Sequence, residues 1–142
     1  MATDRTMSTT WNGTLMDGAG TIHEAGSGAF GALPVSWASR AEDPNGKTSP
    51  EELIAAAHSA CFSMALSNGL AKADTPPTAL DVTADVTFQP GTGITGIHLS
   101  VVGTVEGISK EDFEAAAEDA KKNCPVSQAL TGTTITLEAA LA

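Results

Sequence analysis

Apolar and polar positions change period several times along this chain, and the changes mark out its elements. Val82, Ala84, Val86 and Phe88 alternate with polar neighbours, and Ile97, Leu99 and Val101 do the same beyond a turn at Pro90 to Gly93. A period of two on both sides of a turn predicts a hairpin of half-buried strands. Thr133 to Leu141 alternates again, with Ile135, Leu137, Ala139 and Leu141 on one side, so a last strand is expected there. From Thr10 to Val35 the apolar stretches are short and broken by Gly13, Gly18, Gly20, Gly26, Gly28 and Gly31, the signature of brief strands in a small antiparallel meander. Met1 to Thr9 is small and polar and is expected to fray.

The period lengthens to that of a helix in two places. Asp43-Pro44-Asn45-Gly46 ends the meander. Ser49-Pro50-Glu51-Glu52 then supplies a capping hydroxyl, a proline at the first helical position and Glu52 as capping-box partner. This helix is expected to reach Asn68-Gly69, with Ile54, Ala57, Cys61 and Met64 or Ala65 along its apolar face, and with Phe62, Met64 and Leu66 serving the core. Ser109-Lys110-Glu111-Asp112 repeats the capping logic. Phe113, Ala116, Ala117, Ala120 and Cys124 follow at helical spacing before Pro125, which places Cys124 on the buried face at a helix end. The fold class is α+β. No internal repeat and no linker divides the pattern, so one domain over residues 1–142 is expected.

Composition narrows the partners. A chain of 142 residues with 42% hydrophobic content suits one core, and a formal charge of −10 repels phosphate backbones and anionic lipid surfaces. Neither nucleic acid nor membrane is an expected partner. The opening residues have no hydrophobic signal core and no uncharged apolar run is seen to approach the ~20 residues of a bilayer span, so a cytoplasmic location is expected.

In a reducing compartment two cysteines are more often catalytic, redox-sensing or metal-binding than a permanent staple. Zinc is disfavoured, because Cys61 and Cys124 lack Cys-x-x-Cys spacing and paired histidines. Each cysteine sits on the apolar face of its own helix, where a lone cysteine is ordinarily a small hydrophobe. Two such helices packed face to face, however, can bring the thiols within the ~6 Å Cα separation a disulfide tolerates. The chain has two arginines, Arg5 in the tail and Arg40 just before the first cysteine helix, so Arg40 is the one guanidinium available to a folded core. A buried thiol is inert unless a nearby cation holds it as thiolate. His58, one turn before Cys61, is read as a packing or surface residue rather than a base. Ser127 and Gln128 are read as satisfying backbone groups after Pro125.

The stretch from Ser49-Pro50-Glu51-Glu52-Leu53 through Ala60-Cys61-Phe62-Ser63-Met64-Ala65-Leu66, with Cys124-Pro125-Val126-Ser127 downstream, resembles the osmotically inducible protein C and organic hydroperoxide resistance (OsmC/Ohr) family. The resemblance runs from about Trp11 onward. Arg40 just upstream of the Pro-Glu-Glu helix, with no arginine between Trp11 and Ser39, looks like the OsmC branch. The resemblance implies antiparallel sheets with two main helices carrying the cysteines, in an interlocked homodimer with shared active sites. It also implies a thiol peroxidase for organic hydroperoxides, with no metal or organic cofactor and a dithiol reductant such as a lipoyl protein. Cys61 matches the peroxidatic thiolate and Cys124 the resolving thiol; Arg40 would stabilise the thiolate and orient the peroxide, and Glu51 would hold Arg40. Glu51 and Cys61 are ten residues apart on one helix, roughly 15 Å along its axis and on different faces. Glu51 and Arg40 acting on Cys61 would therefore reach it from the other subunit. The alternatives from other classes are a redox sensor or small-ligand-binding dimer that oxidises once and stops, and a structural thiol pair without activity.

Overall fold

The glycine-punctuated start of the chain forms a three-stranded antiparallel sheet, β1 (Thr9–Asn12), β2 (Ala19–Ile22) and β3 (Leu33–Val35), in that order. Gly20 pairs with Trp11 on one side and Val35 on the other, and a Cβ there would stand 2.8 Å from both side chains, so the sheet centre needs glycine. The side chains of residues 1–9 are exposed, yet the carbonyls of Thr6 and Ser8 accept hydrogen bonds from the N–H groups of Gly26 and His23 at 3.3 and 2.9 Å. The computed structural model describes residues 1–142, and these gather into two units, Met1–Leu53 and Ile54–Ala142.

A short helix, α1 (Trp37–Ala41), follows β3 and is absent from the sequence pattern. Its start is a capping box made of two serines. Ser36 Oγ accepts from the Ser39 N–H at 3.1 Å, and Ser39 Oγ accepts from the Ser36 N–H at 3.0 Å. Serine in place of the usual glutamate or glutamine three residues on, and only five helical residues, left no signal to read.

Helix α2 (Pro50–Lys72) opens as expected, Ser49 Oγ accepting from the Glu52 N–H at 3.1 Å. The Glu52 carboxylate, however, accepts from the Thr48 hydroxyl at 2.9 Å, so its side chain has a different partner from the one the capping box assigns. The helix also outlasts the expected stop at Asn68-Gly69. Gly69 stays helical because Leu70, 1% exposed, is buried in the core just beyond it, and that burial outweighs the ~1 kcal/mol a helical glycine costs.

The buried face of α2 is a correction to the sequence reading. The line that packs is His58, Phe62, Leu66 and Leu70, each four residues apart, while Ala57 is exposed and Met64 is 72% exposed. Phe62 and Leu66 carry more apolar area than the alanines beside them, and the rotation that buries them leaves Met64 outside. Residues Leu53 to Ala71 contain no charge, and by length and composition α2 would be enough to cross a bilayer, which corrects the expectation that no run approaches that length. The same helix supplies Phe62, Leu66 and Leu70 to the core of the second unit.

The second sheet contains β4 (Ala79–Gln89), β5 (Gly93–Thr104) and β6 (Ile135–Leu141), with β5 in the centre. The β4–β5 hairpin is antiparallel as expected, but β5 and β6 run parallel, which corrects the expectation of antiparallel sheets throughout. A parallel neighbour needs a crossover, and the chain between them provides one in α3 (Lys110–Asn123) and α4 (Pro125–Ala129). Register puts Leu99 beside Leu137 and Val101 beside Ala139. Leu99, Val101, Phe113, Ala117 and Ala120 close the core around the α2 line. Phe113 lies directly over Gly103, where any side chain would collide with its ring.

Candidate active site

Proline decides where Cys124 sits. Pro125 disfavours helical backbone at the residue before it, so α3 ends and Cys124 takes an extended conformation, φ −57° and ψ 125°. The Cys124 N–H still closes the last turn on the Ala120 carbonyl at 2.8 Å, and Pro125 starts α4 at its first position. Phe113, Ala117, Ala120 and Cys124 share the buried face of α3, which carries the thiol into the core with no exposure at all.

Cys61 stands in the middle of α2, half-buried, one residue from the buried Phe62. The two sulfurs are 2.9 Å apart, within hydrogen-bonding distance, and both cysteines are free thiols. The thiols thus meet from residues 63 positions apart in the chain, Cys124 from the junction of α3 and α4 rather than from within a helix face as expected. A disulfide needs about 2.05 Å, so bond formation requires the sulfurs to close by less than ~1 Å.

Burial pushes the Cys61 thiol above its ordinary range, and the neighbouring Cys124 thiol adds to the rise; the Val126 backbone N–H acts in the opposite direction. Packing alone thus holds Cys61 as a thiol. The thiolate is the stronger nucleophile, and a nearby positive charge or hydrogen-bond donor favours it.

Beside the thiol pair lies a second polar contact that the sequence reading missed. His58 is wholly buried, its Nε2 shares a 2.7 Å hydrogen bond with Ser127 Oγ, and its Nδ1 has no partner. Burial lowers the His58 pKa from its ordinary 6.5, which keeps the ring neutral. Ser127 therefore bonds a side chain across the core rather than the local backbone. The available signal was a matched spacing: His58 precedes Cys61 by three residues and Ser127 follows Cys124 by three.

The first unit holds the charged candidates. Arg40, in the last turn of α1, grips Glu51 in the first turn of α2: Nε donates to Oε1 and Oε2 at 3.1 and 3.2 Å, and a terminal nitrogen donates to Oε1 at 2.7 Å. The pairing proposed for these residues is thus present as a forked contact. Glu51 is buried with 7% exposure, and the helix start favours its negative charge. A planar guanidinium held this way is fixed in orientation, which a lysine could not match. No group of three or more histidine, cysteine or acidic side chains is placed to hold a metal ion.

The family described as OsmC-like protein matches residues 43–138. The chain is 44% identical over 123 residues to the peroxiredoxin OsmC of Escherichia coli (strain K12), spanning 84% of this chain and 85% of that one. It is 36% identical over 104 residues to the organic hydroperoxide resistance protein OhrA of Bacillus subtilis (strain 168), spanning 71% and 73%. Among solved structures, the organic hydroperoxide resistance protein OhrB of Bacillus subtilis shares the fold with a TM-score of 0.72 at 23% identity, covering 94% of this chain and 97% of that one.

Proposed function

The chain belongs to the OsmC family and is a peroxiredoxin-like enzyme, and we propose that it reduces organic hydroperoxides to alcohols through Cys61 and Cys124. The observation that carries this reading is the 2.9 Å contact between two free thiols of unequal burial, one half-exposed to a reagent and the other enclosed behind it. The name of its Bacillus subtilis relative, an organic hydroperoxide resistance protein, supports the substrate class.

In this reading the Cys61 thiolate attacks the outer peroxide oxygen. The O–O bond breaks, Cys61 becomes a sulfenic acid, and the departing alkoxide takes a proton and leaves as alcohol. The Cys124 thiol then displaces hydroxide from the sulfenic sulfur; a Cys61–Cys124 disulfide forms and water is released. A dithiol, for which a lipoyl group is a suitable chemistry, returns both thiols and is itself oxidised. The raised pKa of Cys61 gives Arg40 its role: a guanidinium beside the sulfur would reverse the effect of burial and orient the peroxide, with Glu51 holding it. We assign that encounter to a homodimer with shared active sites, Arg40 and Glu51 of one subunit serving Cys61 of the other. An acidic cytoplasmic protein without metal or organic cofactor fits this chemistry.

Steady-state consumption of cumene hydroperoxide against hydrogen peroxide, with excess dithiol, tests the reading. Faster turnover of the organic peroxide, lost in Cys61→Ser, is the expected result. A single stoichiometric oxidation would instead identify a sensor, and a Cys61→Ser variant as active as wild type would remove the thiol from the chemistry. Sedimentation showing an active monomer would defeat the shared-site assignment.

A further inference from the structure

The buried His58–Ser127 contact has no part in the peroxide chemistry, and packing alone does not account for it. An apolar side chain at position 58 would fill the same space without burying a polar ring whose Nδ1 finds no partner. What the ring adds is direction. Apolar contacts tolerate sliding and rotation of one helix over another, whereas a 2.7 Å hydrogen bond specifies both.

The two cross-contacts join the same pair of segments in antiparallel register. His58 lies one turn before Cys61 in α2, and Ser127 lies one turn beyond Cys124 in α4. The backbone between Cys124 and Ser127 is short and stiffened by Pro125, so fixing Ser127 against α2 fixes Cys124 as well.

We propose that the His58–Ser127 hydrogen bond is a positioning rung that holds Cys124 against Cys61 and thereby sets the stability of the Cys61–Cys124 disulfide. The two residues are positioning residues, since neither touches the peroxide or the reacting oxygen. The inference rests on the reading of the cysteines as a redox couple. A thiol held in place has a high effective concentration toward its partner, and that concentration enters the disulfide equilibrium directly.

The test is the equilibrium between the full-length protein and mixtures of reduced and oxidised dithiothreitol. In it two protein thiols give two electrons and two protons to the reagent's disulfide as their own forms. Ser127→Ala removes the rung at the cost of one oxygen atom, and His58→Gln keeps a side-chain N–H at similar reach. The expected result is a disulfide about tenfold less stable in Ser127→Ala, a midpoint some ~30 mV less reducing. His58→Gln should stay within about threefold of wild type, close to 15 mV on the same scale. Wild-type midpoints in both variants would overturn the rung while leaving the couple intact. An equal loss in both would overturn it too, assigning the effect to packing around the ring. A wild type that forms no intramolecular disulfide would overturn the couple itself and the rung with it.

Discussion

The ion pair of the first unit and the thiol pair of the second are built on opposite principles. Arg40 and Glu51 are 11 residues apart in the chain and meet through three charge-assisted contacts, with the arginine side chain 32% exposed. Cys61 and Cys124 are 63 apart and meet through a single 2.9 Å contact between uncharged thiols, one half-buried and one buried. The first pair has charge and no nucleophile; the second has a nucleophile that its own burial keeps protonated. Under the proposed function a reactive thiolate draws on both contributions.

Breaking the thiol pair should give the largest effect. Cys61→Ser is expected to lower organic hydroperoxide turnover by about a thousandfold or more, since a lost nucleophile removes the whole covalent route. Cys124→Ser should consume one equivalent of peroxide and then stall, with a sulfenic acid that dimedone traps at Cys61 and not in wild type. Breaking the ion pair should come next. Arg40→Met is expected to cost roughly a hundredfold in turnover, the scale for losing one preorganised electrostatic donor. It should also move the pH dependence of Cys61 alkylation to higher pH. Alkylation that is indifferent to Arg40 would separate the two pairs functionally.

Stability sharpens the contrast further. Phe62→Ala should cost about 3–5 kcal/mol in denaturant unfolding, because Phe62 is wholly buried in the core of the second unit. Arg40→Ala leaves the buried Glu51 carboxylate without its partner and should cost about 1–3 kcal/mol. The smallest effect is that of pH on His58. Its folded pKa lies below the unfolded value near 6.5, so the unfolded chain binds the extra proton first. Its contribution to stability is complete above pH ~6.5 and declines as pH falls from there toward the folded pKa. His58→Gln should flatten that decline in urea midpoints measured between pH 7 and pH 5.

Elements whose signal lies in consecutive residues were legible in the sequence. The β4–β5 hairpin, the Ser49-Pro50 start of α2 and the Phe113-to-Cys124 face of α3 all depend on backbone geometry that local spacing dictates. The family was legible as well, through the residues around the two cysteines. The serine capping box of α1 was not legible, nor was the direction of β6, which depends on how the crossover returns rather than on the strand's own alternation.

Tertiary structure decided what periodicity leaves degenerate. An alanine-rich helix such as α2 offers several apolar faces of similar merit, and only competition for the core selects the Phe62–Leu66–Leu70 line and leaves Met64 in solvent. The pairing of His58 with Ser127 across 69 residues belongs to the same class, for a polar side chain's partner is whatever the packing brings within reach. By itself the sequence determined which atoms could react; the packing of α2 against the segment carrying Cys124 decided which of them meet, because contact across a core depends on the shapes of all its members together.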